Sequence, residues 1–451
     1  MIIDNIVKKI KNSEIIQNIL TLSFGSVVSQ LIPIFVSLIL ARLYSPDDYG
    51  VWGVFSSYSS ILLVFACGRY DLAILRPKRN IDALNIAYLS SIIAIILCVF
   101  IFFILLIADL FKFTAICSIN GRYWLPVNVF IGALVLICTS YANRSERYRL
   151  IAKSSIFQSI VQATSRILFG ISNFFSNGLI IGATMGGTVA FFYFHKNLKV
   201  FNLNCIKRSL SIKRIKELAV IYKNFFLYEM PSGLLNTMST GIPIILMSYL
   251  FSKYYVGQFS MALHLLFLPI SFIGTAMGNI FYKKACIWDN EKTAAFAFNI
   301  LKFSYWTGII PFLLLIFFGD ELFSIVLGSK WQMAGIFSIY LSLWLWVTFC
   351  FSPLSTIYMA IDKQKMSMIV NSVNFFGRIS AIIIGKYLID SIFFTIFLYG
   401  VFNLLLWVLN GCIIWKYINI QMKILDKLLI SSSFFIVLII WIIKIYKLNL
   451  I

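Results

Sequence analysis

The chain has 451 residues, of which 60% are hydrophobic and 12% charged, with a mean hydropathy of +0.91. Soluble domains carry roughly 25% charge, so these proportions exclude a soluble enzyme, a disordered chain and a secreted disulfide scaffold, and leave a polytopic membrane protein. A net charge of +21 would point to nucleic acid in a soluble protein, but here the cations sit in short connections between apolar runs and read as topogenic charge, with no nucleic-acid partner.

Residues 1–17 are mixed and charged, and no small-residue cleavage motif follows the first apolar run, so no cleavable signal is expected. Stretches long enough to cross a bilayer then fall near 18–41, 49–75, 82–108, 123–142, 154–174, 177–195, 222–251, 254–281, 294–318, 331–360, 364–387, 390–415 and 428–446. Each is expected to be helical, because only a helix satisfies its own backbone hydrogen bonds in lipid. The connections are short except for 196–221, which is long and basic. One side of the membrane collects 26 Lys and Arg, the other eight, and four lie inside spans. By the positive-inside rule this split puts the N-terminus and the 196–221 loop in the cytoplasm.

The chain also repeats itself weakly. A shift of 207 lays ArgLeuTyrSer at 42–45 on TyrLeuPheSer at 249–252 and Gly50 on Gly257. A shift of 212 lays Lys153, Ser155, Gln162 and Arg166 on Lys365, Ser367, Asn374 and Arg378. The expected fold is all-α: an N-terminal six-helix lobe over 1–196, a basic cytoplasmic linker over 197–221, a second six-helix lobe over 222–416, and an extra span with a tail over 417–451. Six helices per lobe give both copies the same orientation, a parallel repeat of the kind found in transporters.

An ionisable group inside a span is a functional candidate by default. Arg166 and Arg378 lie about 20 Å deep from the cytoplasmic side at 1.5 Å per residue, in matching positions of the repeat, and a bidentate guanidinium suits phosphate. Arg69 is expected to face a cavity. Asp71, two residues on, points to another face and is expected to pair with Arg76 or Arg79. Lys302 can reach a substrate or snorkel to the interface. Glu229 precedes Met230 and Pro231, where a proline loosens the helix; it reads either as an ion- or proton-coupling carboxylate or as the buried partner of an arginine. Arg42 reads as an interfacial anchor and His264 as a core histidine. Gln30, Gln158, Gln162, Asn236, Asn371 and Asn374 could bond sugar or neighbouring helices.

Other chemistry is sparse. The eight cysteines form no CxxC pair and read as small buried hydrophobes. GlyAlaThrMetGlyGly at 182–187 lacks a following Lys-Ser/Thr and is no phosphate-binding loop. Neither a metal motif nor a cofactor motif is present, so transport would draw on gradients or the membrane potential rather than directly on ATP.

AlaArgLeuTyrSerProAspAspTyrGly at 41–50 and GlyArgTyrAspLeuAlaIleLeuArgProLys at 68–78 resemble the N-terminal signature of bacterial polysaccharide transporters. These are the Wzx-type oligosaccharide flippases of the multidrug/oligosaccharidyl-lipid/polysaccharide exporter superfamily. TyrLysAsnPhePheLeuTyrGluMetProSerGlyLeuLeuAsn at 222–236, LeuPheLeuProIleSerPheIleGly at 266–274 and IlePheTyrLysLys at 280–284 resemble the second lobe of that family. The resemblance covers about 1–420. Glu229 departs from it, since the family usually has a small residue there.

The resemblance implies a V-shaped pair of lobes around a central cavity in the bacterial inner membrane. It implies that an undecaprenyl-diphosphate-linked oligosaccharide, an O-antigen or capsule repeat unit, is moved from the cytoplasmic to the periplasmic leaflet by alternating access. Partners on this reading are the lipid-linked substrate, membrane lipids and the polysaccharide polymerase with its chain-length machinery. Two other readings stand beside it. A cation or drug antiporter of the same superfamily would want a net acidic cavity, whereas Arg69, Arg166, Lys302 and Arg378 outnumber Asp71 and Glu229. A membrane polysaccharide polymerase would want larger outer loops than 109–122 or 319–330.

Overall fold

The computed structural model describes residues 31–112, 121–172, 175–361, 363–420 and 424–448, and among them the chain is helical with no strand. In chain order the helices are α1 (Leu31–Leu43), α2 (Pro46–Ala66), α3 (Tyr70–Ala73), α4 (Asn80–Leu110), α5 (Trp124–Arg144), α6 (Tyr148–Ile171), α7 (Phe175–Leu198), α8 (Leu203–Ser209) and α9 (Ile212–Ile221). There follow α10 (Met230–Leu250), α11 (Lys253–Pro269), α12 (Thr275–Ala285), α13 (Asn290–Leu327), α14 (Gln332–Phe351), α15 (Ile357–Ala360), α16 (Gln364–Ile389), α17 (Ile392–Ile418) and α18 (Ile424–Leu448). Eleven helical stretches among the described residues are long and apolar enough to cross a membrane. Helix α6 is long enough but too polar to count, because Arg149, Lys153, Gln158, Gln162 and Arg166 all lie on it. Most of the first expected span, with Gln30, falls outside the described residues.

The chain divides into two compact units, Met1–Tyr44 with Val54–Thr237, and Ser45–Gly53 with Met238–Ile451. In the first, α6 packs along α7, α7 on α5, and α5 on α4. Helix α4 is the most apolar and is largely uncovered, presenting Ile96, Phe100 and Phe103 outward, as expected of a face against lipid. The basic segment read as a linker is instead docked. Asn85 on α4 donates to the Ser209 carbonyl at 2.9 Å and accepts from the Ser211 amide at 3.0 Å. The Arg214 guanidinium grips both oxygens of Asp82, each at 2.8 Å, and Tyr70 donates to the Ala219 carbonyl. Ser211 caps α9 by accepting from the Arg214 amide.

In the second unit α14 is the central helix. Its run of apolar and aromatic residues has no polar face to show to water, so it is buried on all sides, with Trp344, Trp346 and Tyr340 fully enclosed. It packs on α11, α13 and α17. Pro353 ends it, and the chain tightens into a 3₁₀ turn over Ser352–Thr356. Helix α18, the extra span, is largely uncovered but packs onto this unit. Its Trp441 donates to the Ile339 carbonyl at 2.7 Å, and Tyr305 on α13 donates to the Ile430 carbonyl at 3.0 Å.

Residues 45–53 also cluster here, and the reason is a close approach of two glycines. A Cβ on Gly257 would collide with the Pro46 carbonyl and a Cβ on Gly50 with the Lys253 carbonyl. These are the two glycines that the 207-residue shift superposes.

Candidate functional site

Arg69 occupies a break in the helix. Gly68 and Arg69 both adopt left-handed backbone, with φ of 53° and 59°, so α2 stops and the short α3 starts in a new direction. An L-residue other than glycine in this region is strained by roughly 1–2 kcal/mol. The guanidinium lies against Gly233, where any Cβ would collide with it. Its Nε is buried and has no hydrogen-bond partner among the described residues. The approach to Gly233 brings in the preceding turn, Phe225–Glu229, which is wound as a π-helix. Pro231 explains that turn: it has no N–H for the carbonyl one turn earlier, and a wider turn accommodates the loss. Glu229 ends this turn and is exposed, so it is not the buried partner of an arginine.

Asp71 is buried in the first turn of α3. It pairs with neither Arg76 nor Arg79 among the described residues; the cation acting on it is Arg69. The helical-face argument that separated the two residues fails because Arg69 is not in the helix.

Arg166 and Arg378 each reach from their own helix to the next one in their unit, Arg166 near its start and Arg378 near its middle. Arg166 Nε donates from α6 to the Leu179 carbonyl on α7 at 3.1 Å. With the Gln162 amide turned oxygen-first, the two terminal nitrogens donate to it at 3.0 and 3.2 Å. Arg378 Nε donates from α16 to the Asn403 side chain on α17 at 2.7 Å. Its Nη1 donates to both the carbonyl and hydroxyl of Ser239 at 2.9 Å, and the guanidinium carbon sits 5.7 Å from the Trp344 ring centre. Arg166 is half-buried, while Arg378 is 7% exposed.

Lys302 is partly exposed and is held by an ion pair. Its ammonium pairs with Asp426 of α18 at 2.7 Å, a partner that sequence spacing could not reveal across 124 residues. His264, expected in the core, is exposed on α11, and Arg42 is exposed at the end of α1. Of the polar residues assigned to sugar or helix contacts, Asn374 is buried and Gln162 serves Arg166. Among the described residues no group of His, Cys, Asp or Glu could hold a metal, and no cysteine is paired, with Cys67, Cys98, Cys138 and Cys350 buried.

Two compact helical units, with eleven stretches among the described residues long and apolar enough to cross a membrane, define a multi-pass membrane protein, and solved structures supply the fold. The lipid II flippase MurJ in its inward closed conformation matches with a TM-score of 0.70 at 14% identity, over 94% of this chain and 97% of that one. An inward-facing multidrug resistance MATE family transporter of the MOP superfamily matches at 0.67 with 15% identity, over 86% and 94%. A MOP superfamily transporter from Pyrococcus furiosus matches at 0.59 with 13% identity, over 89% and 95%. The chain therefore has the fold that these transporters share. The chain belongs to the polysaccharide biosynthesis protein family, whose model matches residues 39–335. No curated protein matches it.

Proposed function

We propose that this protein is a flippase that carries an undecaprenyl-diphosphate-linked oligosaccharide, an O-antigen or capsule repeat unit, from the cytoplasmic to the periplasmic leaflet by alternating access, without enzymatic turnover. The observation that carries this reading is Arg69: a guanidinium on strained backbone at the break between two helices, with a buried Nε that has no hydrogen-bond partner among the described residues. Strain and unmet hydrogen bonding gather at functional positions, and a permanently charged planar donor suits a diphosphate. Membership in a polysaccharide biosynthesis family supports the substrate class.

Arg69 is assigned the first phosphate contact and Arg166 a second. Arg378 and Lys302 contact the substrate only on releasing Asn403 and Ser239, or Asp426. The N-terminus and the 197–221 segment are cytoplasmic on this reading, and the bacterial inner membrane is the site of action. The polymerase and its chain-length machinery take the product. The two six-helix repeats, 1–196 and 222–416, move as the alternating elements, with 417–451 attached to the second. An inside-negative potential favours outward passage of an anion by roughly 2.3 kcal/mol per charge per 100 mV, which removes the need for ATP. Glu229 and Asp71 are the groups available for ion coupling.

The test is deletion of the gene followed by analysis of lipid-linked intermediates. The reading expects the diphosphate-linked repeat unit to accumulate on the cytoplasmic leaflet, with restoration by the wild-type chain and not by Arg69→Ala at equal protein level. Undiminished surface polysaccharide in the deletion strain, or an altered drug tolerance instead, would favour the antiporter.

A further inference from the structure

Helix α18 packs on α13 and α14 and meets α17 where Trp441 stacks on Phe397, and nearer its N-terminal end a cavity of about 560 Å³ lies between α17 and α18. Its walls are apolar almost throughout, and its polarity is graded. At one end lie Trp415 of α17 and Lys427 of α18; two turns further along, the walls are Val347, Val408, Phe434 and Phe435. Lys427 and Ser431 are one turn apart and so share a face of α18. Lys427 is exposed and has no carboxylate partner among the described residues, whereas its neighbour Asp426 is taken by Lys302. Val408, Cys412, Ser431 and Phe435 are exposed as well, so the cavity is open along the α17–α18 seam. That seam belongs to two membrane-spanning helices.

We propose that this cavity is a binding site for one anionic glycerophospholipid, its acyl chain between α17 and α18 and its phosphate at Lys427. Three features select this occupant. A water-filled cavity needs several polar partners per water, which these walls do not offer, so hydrocarbon is the fitting content. The volume falls within the range of roughly 300–1,000 Å³ typical of small-ligand pockets; it suits a single acyl chain and is too small for a polyprenyl tail several times longer. An unpaired lysine at the mouth, beside a tryptophan of the kind found at bilayer interfaces, complements an anionic headgroup. The site is independent of the proposed transport reaction and requires only that the chain spans a membrane.

The experiment uses the full-length protein purified in mild detergent and native mass spectrometry, with phosphatidylglycerol, phosphatidylcholine and a polyprenyl phosphate as probes. Wild type is expected to retain one phosphatidylglycerol in preference to the other two. Lys427→Gln should weaken that retention roughly fivefold. Cys412→Trp, a change at an exposed wall residue, should fill the groove and abolish retention, while Cys412→Ser leaves it intact. Equal retention in wild type and Cys412→Trp would overturn the proposal, as would preferential capture of the polyprenyl phosphate or no retained lipid in wild type.

Discussion

The Arg378 Nε donates to the side-chain oxygen of Asn403 at 2.7 Å, and the same atom of Arg166, 212 residues earlier, donates to the next helix of its own unit. A deep arginine thus ties the fifth helix of each repeat to the sixth. The two differ in what remains: Arg378 is also bound to Ser239, whereas Arg166 spends its terminal nitrogens on a glutamine of its own helix.

Arg378→Ala should therefore act on stability first. It strands the buried Asn403 oxygen and removes two contacts to Ser239; hydrogen bonds to a charged group contribute about 1.5–3 kcal/mol each when lost. Thermal denaturation in detergent should show a marked drop in the midpoint, with Asn403→Leu giving a smaller one. Arg166→Ala, half-buried, should lower stability less and transport more. Equal thermal midpoints for Arg378→Ala and wild type would refute the tie.

Arg69→Gly combined with Asp71→Asn should move stability and function in opposite directions. Glycine adopts a φ of 59° without strain, the substitution deletes a buried nitrogen that lacks a partner among the described residues, and the asparagine avoids leaving a buried carboxylate without the cation beside it. The double variant is expected to be stabler by about 1 kcal/mol and to lose transport of the lipid-linked oligosaccharide. Gly233→Ala should also impair transport, because the new methyl displaces the guanidinium. A destabilised double variant would mean that the arginine is structural.

Asp82→Asn tests the docking of the basic segment. It removes the bidentate grip of Arg214 on α4, and because the arginine is about a third exposed the loss should loosen the segment without unfolding the protein. Limited trypsin digestion should cut faster among Lys207, Arg208, Lys213 and Lys216, leaving the transmembrane helices intact. Unchanged cleavage would mean that α8 and α9 are held by Asn85 and Tyr70 alone.

Topology is checked with reporters. A fusion after Gly121 should report the periplasm and one near Lys207 the cytoplasm, as the 26-to-8 split of Lys and Arg requires. Reversal at either site would undo the orientation assigned to the first repeat.

Composition alone made this an all-helical membrane protein, because a span must satisfy its backbone internally whatever its neighbours are. The positions of the apolar runs and the placement of Arg166 and Arg378 in matching helices were legible for the same reason: spacing along a helix is local. What the spacing could not contain was partnership across the chain. Asp426 meets Lys302 over 124 residues, Asp82 meets Arg214 over 132, and Ser239 meets Arg378 over 139. The reading of Arg69 and Asp71 failed locally, since it assumed an unbroken helix where two successive residues turn left-handed. The C-terminal span, α18, read as an extra one because its pattern shows only an apolar segment. Packing against α13 and α14 decided that it is part of the second unit, because burial depends on which surfaces meet and not on how apolar any one of them is.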